Sequence, residues 1–138
     1  MKQLSVFVEN EKGSLKKITS CLAKENINIR AVTSSDTPRF AILRLIVDDV
    51  EKAKKCLTKY GVVARINEVI GVELKDKEGN LNEMLTILEE TEINLDYIYS
   101  FVIRNGEIPV LVFHSDDMEK TKEVLKRSGI KIVEDDKG

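Results

Sequence analysis

The residues best placed to do chemistry lie in two short turns, Asn10-Glu11-Lys12-Gly13-Ser14-Leu15 and Asp76-Lys77-Glu78-Gly79-Asn80-Leu81. Each follows an apolar run and precedes a segment with helical spacing. A strand-to-helix turn of this kind leaves the leading N–H groups of the helix without backbone partners, and it can present them, with the positive end of the helix dipole, to a ligand. The glycine lets a ligand approach the backbone closely. Gly at a turn is also ordinary loop chemistry, so the pattern asks for a second line of support.

The other reactive side chains read as structural. His114 is the single histidine, sits at the end of an apolar run, and has no cysteine or carboxylate arranged around it in sequence. Cys21 and Cys56 stand at helical positions where a small apolar residue belongs and read as core residues, not nucleophiles. Asp48-Asp49 and Asp116-Asp117 could ligate a metal in isolation, but each pair opens a helix, with Glu51 or Glu119 three residues after the first aspartate, and a capping box explains them. Tyr97, Tyr99 and Phe101 alternate along one strand. No basic residues accompany them as they would in an RNA-binding face, so they read as core or interface packing. No catalytic constellation, metal site or cofactor motif emerges.

The elements that hold the turns repeat. With Gly13 laid over Gly79, GSLKKITSCLAKENINI covers GNLNEMLTILEETEINL. With Gly61 over Gly129, DDVEKAKKCLTKYG covers DDMEKTKEVLKRSG. The second copy holds two extra residues, which fall where IRNGE supplies an Asn-Gly hairpin turn. Each copy reads as strand, helix, strand, strand, helix, strand. Leu4–Glu9 and Val69–Leu74 are first strands, too continuously apolar to face water on either side. Helices run from Ser14 to about Glu25 and from Asn80 to about Thr91, with Leu15, Ile18, Leu22 and Leu81, Met84, Leu88 on one face. Ser14 caps the first, and Asn80 with Glu83 forms a capping box for the second. Second helices begin at Asp48 and Asp116 and stop at Gly61 and Gly129.

The order is the split βαβ, or ferredoxin-like, unit. The fold class is therefore α+β: two βαββαβ repeats, residues 1–68 and 69–138, each an antiparallel sheet with both helices on one face because crossovers are right-handed. The apolar first and third strands take the centre and strand two an edge. A unit of about 65 residues buries only about 60% of its unfolded surface, so association, a homodimer in the simplest case, is expected. Arg30 and Asp96 hold matched positions on strand two and could select a mixed edge pairing.

A βαββαβ unit with Asn or Asp and a Gly between strand one and helix one, followed by Ile-Asn-Ile or Ile-Asn-Leu entering strand two, resembles the ACT domain, the regulatory module of amino-acid metabolism. Both copies match over nearly the whole chain. They depart from it at Lys12 and Glu78, where proline often stands. The resemblance implies a non-catalytic protein that binds a free amino acid at the turn and strand two, between two such units, and signals to an amino-acid metabolic enzyme. The implied contacts are Asn10, Lys12, Gly13, Ser14, Leu15, Asn28 and Ile29 in the first copy. In the second they are Asp76, Gly79, Asn80, Leu81, Asn94 and Leu95. The ligand's carboxylate suits the helix start, and an ionised Asp76, which only accepts, suits its ammonium. Asn28 and Asn94 would supply backbone and amide groups from the other side. The competing reading is a regulatory subunit that takes no ligand.

The 138 residues carry a formal charge of −2, with 42% apolar and 33% charged residues. This mixed balance gives no nucleic-acid footprint. No apolar run reaches the roughly 20 residues of a membrane span, and the amino terminus lacks a signal peptide's pattern, so the expected location is cytoplasmic.

Overall fold

The computed structural model describes residues 1–74, 78–102 and 109–133. Its elements are β1 (Lys2–Glu9), α1 (Ser14–Lys24), β2 (Ile29–Asp36), β3 (Phe40–Val47), α2 (Val50–Lys59), β4 (Val63–Glu68), β5 (Ile70–Glu73), α3 (Asn80–Glu90), β6 (Leu95–Val102), β7 (Pro109–Ser115), α4 (Met118–Arg127) and β8 (Lys131–Val133). They form two four-stranded sheets in the orders β2-β3-β1-β4 and β6-β7-β5-β8. The apolar first and third strands of each repeat are central and strand two is an edge. The Asn-Gly hairpin turn expected at 105–106 lies outside the described residues.

Two compact units result: Lys2–Asn67, and Glu68–Gly138 together with Met1. Met1 joins the second because its carbonyl accepts from the Val69 N–H at 2.9 Å and its ammonium lies 3.4 Å from the Glu68 carboxylate.

In the first unit, β1 and β3 run antiparallel with Leu4 opposite Leu45 and Val6 opposite Leu43. These four side chains pack with Ile18 and Leu22 of α1 and Ala53 and Leu57 of α2, all at most 3% exposed. In the second, Ile70 opposite Phe113 and Val72 opposite Leu111 meet Met84 and Leu88 of α3 and Val124 and Leu125 of α4. Each fully buried aliphatic side chain stabilises its unit by about 1.5–3 kcal/mol. The helical stripes begin one turn later than the spacing suggests. Leu15 and Leu81 are 51% and 44% exposed, so the buried faces start at Ile18 and Met84.

The expectation that strand one avoids water on both faces holds only in part. Ile70, Gly71 and Val72 are buried, and a Cβ on Gly71 would come within 2.9 Å of the Met1 methyl. In β1, however, Phe7 is 40% exposed, because both helices lie on the face of Leu4 and Val6. Gln3 is buried on the other face, donating to Ser5 Oγ and to Asn67 Oδ1, each at 3.3 Å.

The helix starts differ from the expected caps. Gly13 and Gly79, not Ser14 and Asn80, hold the N-cap positions, and a glycine brings no side chain to cap the first turn. Once the glycine is the cap, Ser14 and Asn80 fall at N1, inside the helix, and cannot reach back. The starts of α2 and α4 shift by one residue. Asp49 and Asp117 accept from the N–H of Lys52 and Lys120 at 3.1 and 3.0 Å, so Glu51 and Glu119 sit at N2 and make no capping box. Val62 and Ile130 donate back to the carbonyls of Leu57 and Leu125, which closes α2 and α4 through Gly61 and Gly129.

Candidate functional site

The turn before α1 is built by backbone bonds. The Glu11 N–H returns to the Glu9 carbonyl at 2.9 Å and the Ser14 N–H to the Glu11 carbonyl at 3.3 Å. Gly13 then takes φ 89° and ψ −6°, and its carbonyl accepts the first helical bond, from Lys17. Gly79 repeats this at φ 85° and ψ −9°, with Glu83 donating to its carbonyl at 2.8 Å. These left-handed values favour glycine, and a Cβ at either position would meet nothing within 4 Å, so the turns are open to solvent. Asn10 is committed locally: its N–H and its side-chain amide donate to the carbonyls of Arg39 and Thr37, clamping the turn to the β2–β3 hairpin. Lys12 is exposed. Asp76 lies outside the described residues.

Beside each turn lies a groove. In the first unit it measures about 380 Å³ and runs between the end of β1, the start of α1 and the turn after α2, with Phe7, Ser14, Lys17 and Val63 among its walls. In the second it measures about 370 Å³, with Glu73, Asn80, Glu83 and Lys131 at the same four repeat positions. The grooves are equivalent in place and size, and each sets two carboxylates beside one ammonium. The first carries Glu9 and Glu11 beside the Lys17 ammonium. The second carries two carboxylates, one of them, Glu73, bridged to Lys131 at 3.3 Å. Lys17 and Glu83 escape a reading of the turn alone. They follow Ser14 and Asn80 by three residues and therefore share their helix face, which is the signal that could have found them.

Within a unit, the strand-two residues of the expected site lie at the far end of the sheet from the turn. Glu9 pairs with Phe40 and Asp36 with Ala41 at the turn end of the sheet, whereas Leu4 pairs with Leu45 and Ile29 with Val47 at the far end. An eight-residue strand sets these ends roughly 23 Å apart. The structure therefore brings Gly13 together with Ser14, and Gly79 with Asn80. It does not bring either group to Asn28 and Ile29 or to Asn94 and Leu95 of the same unit.

The backbone of Asn28 is also engaged. Its N–H donates to Asp48 Oδ1 at 3.1 Å and its carbonyl accepts from the Asp48 N–H at 3.2 Å; Asn94 makes the same pair with Asp116 at 3.1 and 3.0 Å. These bonds hold the backbone N–H of each residue within its own unit. Ile29 and Leu95 pack against their cores. Asn94 and Leu95 also border a shallow groove of about 490 Å³ with Leu85, Glu92 and Ile98, along the β6 edge.

His114 does find a carboxylate, across the sheet: its Nδ1 lies 2.5 Å from Asp96 Oδ2, and its ring stacks on Tyr97 at 6.0 Å, which stacks on Tyr99 at 6.4 Å. Asp96 is therefore engaged inside its own unit and is not left for an edge pairing with Arg30. Among the described residues no cluster of three or more metal-ligating side chains occurs, and no helix is long and apolar enough to cross a membrane.

Comparison with known proteins agrees with this architecture. The structure of protein BT0572 from Bacteroides thetaiotaomicron superposes with a TM-score of 0.88 at 36% identity, over 96% of this chain and 90% of that one. The ligand-free regulatory subunit of aspartate kinase from Thermus thermophilus gives 0.64 at 14% identity, over 91% of each chain, and its counterpart from Thermus flavus gives 0.63 at 15%, over 91% of this chain and 88% of that one. At those identities the two Thermus proteins speak to the fold alone. No curated protein matches the sequence. The family described as an ACT domain pair matches residues 1–137. With two complete ferredoxin-like units, each opening its first helix on a glycine turn, the chain belongs to the ACT domain pair family.

Proposed function

We propose that this chain is a non-catalytic regulatory protein that binds a free amino acid at the glycine turn and passes its presence to an amino-acid metabolic enzyme. The observation that carries the proposal is a contrast within each unit. Helices α2 and α4 are capped by aspartate side chains, whereas α1 and α3, the helices beside the grooves, start on a glycine, which offers no capping side chain. Their leading N–H groups suit the carboxylate of an amino acid. The aspartate kinase regulatory subunits of similar fold make an enzyme of amino-acid metabolism a reasonable target.

The turn before α1 is the better receiver. The first turn of α1 holds no acidic residue, whereas α3 carries Glu83 in its first turn, which already meets the dipole. Because the turn and the start of strand two lie at opposite ends of a unit, a site that uses both Gly13 and the Asn28 amide is completed by a second ACT unit, with homodimerisation as the simplest route.

Thermal melting against each free amino acid tests the reading. A ligand at about 100 times its dissociation constant should add about 2.7 kcal/mol of stability. A chain whose melting responds to none of them is a regulatory subunit without a ligand, and the proposal falls.

A further inference from the structure

Cys21 of α1 and Cys56 of α2 are both free, 8% and 7% exposed, and belong to one core cluster. The Cys56 thiol donates to the Cys21 backbone carbonyl at 3.4 Å, which sets the two cysteines side by side across the helix pair. The repeat shows what packing alone would ask for here. The matching positions are Ile87, packed against the second core, and Val124, within it. A surface cavity of about 160 Å³ opens onto Cys21, bordered by Lys17, Lys24 and Tyr60. Two neighbouring thiols, a cavity that reaches Cys21 and two lysines in its lining describe a site for a small anionic disulfide.

We propose that Cys21 and Cys56 form a redox couple that closes to an intrachain disulfide on reaction with a small anionic disulfide, stapling α1, and with it the Gly13 turn, to α2. One cysteine thiolate attacks a sulfur of the small disulfide and expels half of it as a thiolate. The second cysteine then attacks the protein sulfur of the mixed disulfide and expels the other half. One S–S bond breaks and one forms, the two cysteine protons end on the two released thiolates, and the small disulfide is reduced as the pair is oxidised. Burial and the neighbouring Cys56 thiol raise the Cys21 thiol to about 11, so the couple is slow near neutral pH and quickens as pH rises.

The full chain, incubated with oxidised glutathione over a pH series and read by mass spectrometry, is expected to lose two hydrogen masses and to yield a Cys21–Cys56 linked peptide. The product should melt above the reduced chain. C21I and C56V, which copy the second unit's own residues, should give no internal disulfide. Cystamine, a cationic disulfide, should react several-fold more slowly. Formation of only glutathione adducts or cross-linked chains overturns the couple, as does a folded chain that stays reduced while both thiols react in denaturant. An equal rate with cystamine overturns the preference for an anion.

Discussion

Gly13 and Gly79 are open to solvent yet conformationally constrained, since at φ near 90° an L side chain is strained whether or not it has room. Gly13→Ala and Gly79→Ala should therefore each cost about 1 kcal/mol in urea unfolding, with no cavity and no lost contact to explain it. Gly13→Glu should also abolish the amino-acid response at the first turn while the circular dichroism spectrum persists. An unchanged response would remove the turn from the site. Adjacent aspartates illustrate the same point about geometry. Asp48 fixes the start of β2 and Asp49 caps α2, though both are carboxylates one residue apart. Cys21 gives a pH signature. Its thiol is raised from 9.0 to about 11, first by burial, so the folded state holds the proton more tightly than the unfolded chain does. The resulting stability is complete below about pH 9 and is lost as pH rises through about 11. Alkaline melting of the wild type against C21I, which has no thiol at that position, should show a steeper decline for the wild type.

At the scale of elements, the edge strands decide how copies can meet. β2 and β6 are edges, and Val32 and Ile98 on them are 60% and 41% exposed, large apolar side chains that a lone edge usually avoids. Lysine at these positions should discourage edge pairing without touching either core. Val32→Lys and Ile98→Lys should lower the mass seen by light scattering at micromolar concentration and weaken ligand binding together. An assembly that survives both substitutions with binding intact would place the interface elsewhere.

At the scale of the molecule, each unit carries its own core, the first drawn from residues between Leu4 and Ala64 and the second from residues between Ile70 and Leu125. Leu22 and Leu88, both at most 1% exposed, hold equivalent places in the two. Leu22→Ala and Leu88→Ala should each cost about 2–5 kcal/mol. Amide hydrogen exchange should show the loss of protection centred on the mutated unit, with its β1 and β3 or β5 and β7 backbone exchanging first. Uniform loss across both units in both variants would mean that the cores do not act separately.

The sequence by itself determined the two repeats, the element order, the central and edge strands and the glycine turns. Those follow from local rules: periodicity fixes faces, and crossover handedness fixes the side on which Ile18 and Leu57 must lie. It misplaced the caps, because a glycine in the left-handed region and a serine or asparagine beside it compete for one position, and only the backbone path shows which takes it. It set Gly13 and Asn28 in one site between two units, and within a unit an eight-residue strand holds them at opposite ends. Tertiary structure alone decided that Asp96 meets His114, that Cys21 meets Cys56, and that Lys17 or Glu83 lines the groove. Each of those contacts spans strands or packed helices, and a linear pattern contains no term for the distance between them.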